Sequence, residues 1–340
     1  RNMYEKIART ADTHKRFQRM RVDRVKKQSG YDEVKYWARN FTPTDAPLPR
    51  FSIADTTKIL KDSLAVLGPE YSRELAALLD PANGRLDIVG GENRVPGAFA
   101  NGFLGKPQSI FFCFNYEGYF DDLDAFAHEA GHAVHFQLMG NNKVRPAYAD
   151  GPSYFTESFA MFNELVMTDH LYTNESDPAR KIYFLEQFMT YANYLYSNTM
   201  NAAMEQAIYD KVGGSDNTSA DDINAVAKSV GSRFSIWYDK QDELKMRWMD
   251  IHHFYDAPMY YPNYVYAQLL ALKYYQLYKR DPKTFVPKYL DLMRNGFDAP
   301  PSGLLKKFLG VNLRDPQLVP NAVGILDDRL DELDVLYKKR

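Results

Sequence analysis

Cysteine is almost absent from this sequence. Cys113 is the only one in 340 residues, so no disulfide can close within the chain and the fold must rest on its core. A lone cysteine fits a reducing compartment, and a cytoplasmic location is expected on that ground. An excess of either charge is lacking as well. With 42 Lys and Arg against 44 Asp and Glu, the formal net charge is −2, which argues against nucleic acid or a membrane surface as the main partner. No apolar run approaches the roughly 18–20 residues of a membrane span; the longest, 110–114, reads as a buried strand. Internal repeats, low-complexity tracts and long Pro/Ser linkers are missing too, so the sequence marks no boundary between independent domains.

The one biased stretch is the start. Residues 1–30 carry ten Lys or Arg against three acids, which reads as the solvated face of a helix with Met3, Ile7, Phe17 and Met20 on its buried side. The chain opens on Arg1 inside a helical pattern and shows no apolar signal segment. It is therefore expected to be the later part of a longer protein.

What is present is helical periodicity. Hydrophobic residues make up 45% of the chain, enough for a large core, and recur at spacings of three and four over 55–67, 69–80, 121–139, 153–173, 178–212, 219–231, 258–280, 282–294 and 321–338. Asp121 reads as the start signal of the third segment and Gly140 as its stop. The β signal is confined to about 86–116, where Leu86–Val89 and Ser109–Asn115 flank a glycine-rich stretch that matches no phosphate-binding spacing. That stretch is expected to be a hairpin or a substrate-facing loop. The predicted fold is mainly α, with one small β-sheet beside the helix at 121–139.

That helix carries Ala127-His128-Glu129-Ala130-Gly131-His132. Positions i and i+4 lie about 40° apart on an α-helix, so His128 and His132 project from one face, one turn apart. Two imidazoles so placed can meet one Zn²⁺ at about 2.0–2.1 Å. Glu129, beside the first of them, is positioned to take a proton from the attacking water. With seven histidines in the chain, His-Glu-x-x-His arises by chance about once in a hundred such sequences. Gly131 costs the helix roughly 1 kcal/mol against Ala, and either room near the metal or close helix packing explains it.

A third ligand has two candidates nearby. His135 continues the face but lies about 10.5 Å along the axis from His128, too far for one ion, so it is expected to orient a ligand or to pack. Glu157, on the next helix, is a lone acid among Phe155, Phe159 and Phe162. A buried carboxylate needs a cation or must be protonated, and zinc is the natural partner. Glu164, seven residues on, is placed to hold the free ring nitrogen of a ligand histidine. Three ligands and a base form the open set of a catalytic zinc site, one Zn²⁺ per chain, rather than the four-ligand set of a structural one.

These residues, with Phe114-Asn115-Tyr116-Glu117-Gly118 before them and Ile251-His252-His253-Phe254-Tyr255 later, give a chain that resembles the thimet oligopeptidase / oligoendopeptidase F family of zinc metallopeptidases, its oligoendopeptidase F-like branch above all. Glu157 stands 25 positions after His132 and Glu164 seven further on, as in that family. The resemblance implies a helical zincin-type catalytic region over 1–340, with a further helical region upstream of it in the family. It implies short unstructured oligopeptides as substrates, cut internally, and the upstream segment or a second chain as a partner. It also implies an oxyanion-binding set in 252–266. The family interval points to His252 with Tyr261 and Tyr264, whereas a register keyed on His-Phe-Tyr chooses His253. The alternative activity is that of a related exopeptidase, a dipeptidyl carboxypeptidase or metal carboxypeptidase, in which Lys143, Arg145 or Arg247 would catch a terminal carboxylate.

Overall fold

The computed structural model describes residues 2–39, 41, 48–94, 97–112 and 115–339; Cys113 and Phe114 lie outside them. Helices dominate, in chain order α1 (Asn2–Ala8), α2 (Ala11–Ser29), α3 (Ile53–Leu64), α4 (Pro69–Leu78), α5 (Phe120–Asn141), α6 (Ser153–Asn174) and α7 (Pro178–Ala192). They continue with α8 (Tyr194–Gly213), α9 (Ala220–Phe234), α10 (His253–Asp256), α11 (Tyr261–Arg280), α12 (Pro282–Asn295), α13 (Pro301–Leu309) and α14 (Leu318–Lys338). No described helix is long and apolar enough to cross a membrane.

The sheet has three short strands in the order β1-β3-β2, β1 (Leu86–Asp87), β2 (Ala98–Asn101) and β3 (Ser109–Phe112). The two runs predicted as strands do pair, in parallel, through Leu86↔Ile110. The glycine-rich stretch between them, expected to be a hairpin or a substrate-facing loop, contributes β2, which forms an antiparallel hairpin with β3 from Ala98↔Phe112 to Asn101↔Ser109.

The core is built around α6 and α11. Residues 158–169 of α6 are buried on every side, the pattern of a helix wrapped by others. It packs on α5, α7 and α11. Phe159, Phe162, Tyr274, Phe285 and Tyr289 interlock between α6, α11 and α12, with ring centroids 5.2–6.4 Å apart. Each such ring is worth about 1.5–3 kcal/mol of apolar burial. The 178–212 segment, read as one helix, is broken at Asn193. Its Oδ1 accepts from the His14 ring N–H at 2.9 Å and its Nδ2 donates to the Met189 carbonyl at 2.7 Å, so the interruption is fixed from α2, far away in sequence. The basic residues of α2 are largely paired within the chain. Arg24 meets Glu186 at 2.8 Å and Arg16 meets Asp331 at 2.8 Å, while Ile7 and Phe17 are buried as expected.

Candidate metal centre and cleft

α5 begins one residue before the predicted Asp121, and the capping acid is Asp122. One of its oxygens accepts the backbone N–H groups of Glu117, Gly118 and Tyr119 at 2.9, 2.7 and 3.2 Å, satisfying donors that a helix start otherwise leaves open. Gly118 sits at φ 81° with its Cα against the Phe51 carbonyl, where a Cβ would stand 2.6 Å away. At the other end, Gly140 does not stop the helix, which runs on to Asn141; Gly140 instead abuts the backbone of Gly105.

Gly131 is explained by packing. A Cβ there would lie 2.6 Å from the Ala160 Cα, so α5 and α6 cross almost backbone to backbone beside the motif. Asn163 locks the crossing, donating to the Ala127 carbonyl at 3.1 Å and exchanging hydrogen bonds with the Tyr71 hydroxyl.

The crossing brings His128 and His132 from α5 to Glu157 from α6. The two Nε2 atoms are 3.2 Å apart, and a Glu157 oxygen lies 3.2 Å from one and 3.6 Å from the other. A tetrahedral zinc with ligands at about 2.0–2.1 Å has ligand-to-ligand edges of about 3.3 Å, so the donor set fits one such ion. Glu164 Oε1 is 2.5 Å from His128 Nδ1, which makes that nitrogen an N–H and turns Nε2 towards His132 and Glu157. Two imidazole nitrogens and a carboxylate oxygen then face one point; a proton shared there answers the carboxylate in the free chain, and a metal ion could take its place. Burial pushes His128 down, yet its hydrogen bonds to Glu157 and Glu164 and their charges outweigh it and raise the group well above its ordinary value. Burial pushes Glu157 up, and the two histidines more than reverse it, holding the carboxyl far below the usual range.

Glu129 is 7% exposed and has no hydrogen-bond partner among the described residues. Its charge and that of Glu157 reach the Tyr264 hydroxyl, which burial first and these charges next keep protonated as a donor. Tyr264 and Tyr261 line a cavity of about 1020 Å³ together with His128 and Glu164. His253 packs against Tyr260, Tyr261 and Tyr264 at 5.3–6.0 Å between ring centroids, whereas His252 is exposed. Between the two registers, the geometry favours His253.

His135 does not orient a ligand. It is 1% exposed, packs on Phe159 with the rings tilted and 4.6 Å between centroids, and meets Phe297 edge to face. Burial pushes it down to about 3. Of the cations considered for a terminal carboxylate, Lys143, Arg145 and Arg247 are not among the residues lining this cavity. Sequence reasoning missed Asp124, one turn before His128. It is 7% exposed, lines the cavity, and has an oxygen without a partner. Burial and the charge of Glu164 push it well up. The i, i−4 spacing to His128 was the available signal.

The sequence profile of Peptidase family M3 matches residues 1–319. Oligoendopeptidase F of Lactococcus lactis subsp. cremoris is 24% identical over 304 residues, covering 88% of this chain and 49% of its own length. An oligoendopeptidase F homolog of Borreliella burgdorferi is 28% identical over 290 residues, covering 83% and 47%. This chain thus spans about half the length of these relatives. Among solved structures, PZ peptidase A superposes with a TM-score of 0.75 at 19% identity, over 98% of this chain and 59% of the other. Oligoendopeptidase F from Enterococcus faecium superposes at 0.68 and 17%, over 99% and 53%.

Proposed function

The chain belongs to peptidase family M3, and from that premise we propose that it is the catalytic region of a zinc-dependent oligopeptidase that cuts internal bonds of short, unstructured peptides. The observation that carries this reading is the convergence of His128 Nε2, His132 Nε2 and a Glu157 oxygen within 3.2–3.6 Å beside the unpartnered carboxylate of Glu129.

Zinc, when bound, supplies a Lewis acid that polarises the scissile carbonyl and lowers the pKa of water towards about 7. The chain's residues do the rest. Glu164 holds the Nδ1–H of His128, fixing the tautomer and ring orientation. Glu129, buried and without a competing partner, takes the proton of the attacking water and passes it to the leaving amine. Tyr264, kept as a phenol, donates its O–H to the oxyanion as charge develops, with Tyr261 and His253 packed beside it. β2, on an edge of the sheet next to α5, offers backbone groups with which an extended peptide can pair.

The test uses peptides blocked at both termini. Purified protein should cleave them, lose activity to a chelator and regain it with added Zn²⁺. Cleavage of free-ended peptides alone would replace this reading with the exopeptidase one.

A further inference from the structure

The cavity beside the metal ligands is unevenly charged. Glu117, Asp121, Asp122, Asp124 and Glu164 line it, and two of the five are committed. Asp122 is occupied by three backbone N–H groups and Glu164 by His128. Arg21, on the same lining, reaches Glu186 at 3.7 Å and donates to the Phe41 carbonyl at 3.2 Å. Glu117, Asp121 and Asp124 remain without an ion-pair partner among the described residues, and of these Asp124 alone is buried.

Asp124 is the telling one. It is 7% exposed, lines the cavity, and its Oδ1 has no hydrogen-bond partner. Its other oxygen is within reach of the Tyr191 hydroxyl, which also lies 3.4 Å from Asp121. A buried carboxyl must be protonated or answered by a cation; with nothing bound, burial and the Glu164 charge favour the protonated form, and no Lys or Arg among the described residues pairs with it. Tyr183, Tyr191 and Tyr194 wall the same part of the cavity, with Tyr191 and Tyr194 edge to face at 5.3 Å. Carboxylates among tyrosine rings are the chemistry that holds an ammonium or guanidinium group.

We propose that Asp124 and Asp121, with the tyrosines around them, form a cation subsite that takes a positively charged group of the substrate. Asp124 lies one helical turn, about 6 Å, from His128, a span of about two residues of extended peptide. The group is therefore a Lys or Arg side chain within two residues of the cut, or the N-terminal ammonium of a peptide cut two residues in. The inference rests on the peptidase reading and adds a preference to it.

Binding can be measured without turnover in zinc-loaded Glu129→Gln protein, by fluorescence anisotropy of labelled peptides. One pair carries Lys or norleucine two residues from the cut, with both termini blocked. A second, neutral pair differs only in a free or acetylated N-terminus. A charge-assisted hydrogen bond predicts about 10–100-fold tighter binding of the cationic member of at least one pair, and the pair that responds identifies the source. Adding Asp124→Asn should bring that ratio close to one, with zinc content and melting temperature checking the fold. Asp121→Asn, at an exposed position, should lower the ratio by a smaller factor, and raised salt should shrink it as well. Equal binding within both pairs, or a preference that survives Asp124→Asn, overturns the subsite. Failure to bind any peptide overturns the peptidase reading and the subsite with it.

Discussion

His128 and His135 lie on one face of α5, two turns apart, and the protein treats them in opposite ways. Burial alone disfavours the imidazolium at both. Around His128, Glu157 and Glu164 reverse that tendency; His135 packs against the rings of Phe136, Phe159 and Phe297, and burial, with His132 adding to it, pushes the group down to about 3. A buried histidine is therefore not in itself a sign of a metal site. The carboxylates delivered by the neighbouring helix make the difference, and α6 sends acids to one turn of α5 and aromatic rings to the other.

The comparison can be broken at its acidic end with the largest effect. Glu157→Ala removes a ligand and should abolish both stoichiometric zinc and activity, whereas Glu129→Gln should keep the zinc and lower kcat by about 10²–10⁴-fold. Full zinc in Glu157→Ala, by metal analysis, would falsify the ligand assignment. Tyr264→Phe deletes one hydroxyl; kcat should fall by roughly 10²–10³-fold with zinc and KM little changed, and a near-normal kcat would return Tyr264 to the aromatic core. Between the two turns, Gly131→Ala should destabilise by about 1–3 kcal/mol despite the better helix propensity of Ala, because the clash is with the Ala160 backbone. A rise in the urea midpoint would show that the helices can separate freely there.

The aromatic end gives the smallest effect, and it appears only in acid. A histidine held down in the folded state is protonated first in the unfolded chain, so stability is full above about pH 6.5 and falls as pH drops from there towards 3. His135→Phe should flatten that fall by up to about 1.4 kcal/mol per pH unit in metal-free protein. His14, held down to about 4, contributes a slope of the same sign in both proteins. Identical acid slopes with and without His135 would contradict its neutral burial.

What the sequence disclosed was mostly what is local. The motif histidines are four apart, so helix geometry alone places them together, and a lone glutamate among phenylalanines announced that α6 needed a cation. The mainly helical fold followed from periodicity in the same way. What stayed hidden depends on partners far along the chain. Gly131 is explained by Ala160, the break at Asn193 by His14, and the packing of His253, but not His252, against Tyr260, Tyr261 and Tyr264 by the turn between α10 and α11. A hairpin was expected in the glycine-rich stretch, but the bounds of β2 were not, because Ala-Phe-Ala-Asn has no β-branched residue to mark a strand. His135 looked like a helper of the metal because spacing cannot tell a face lined by acids from one lined by rings.

The pinned turn at Asp122 bears on how the cleft moves. Amides at the start of a helix ordinarily fray and exchange with solvent quickly. Here one carboxylate oxygen holds the three amides of 117–119 that lead into α5, and the Phe51 N–H donates to the Gly118 carbonyl at 2.8 Å, so this entry turn should exchange more slowly than a free helix start. A yielding part of the cleft is better sought between α10 and α11, where Met259 holds a left-handed φ of 60° and Tyr255 stands exposed.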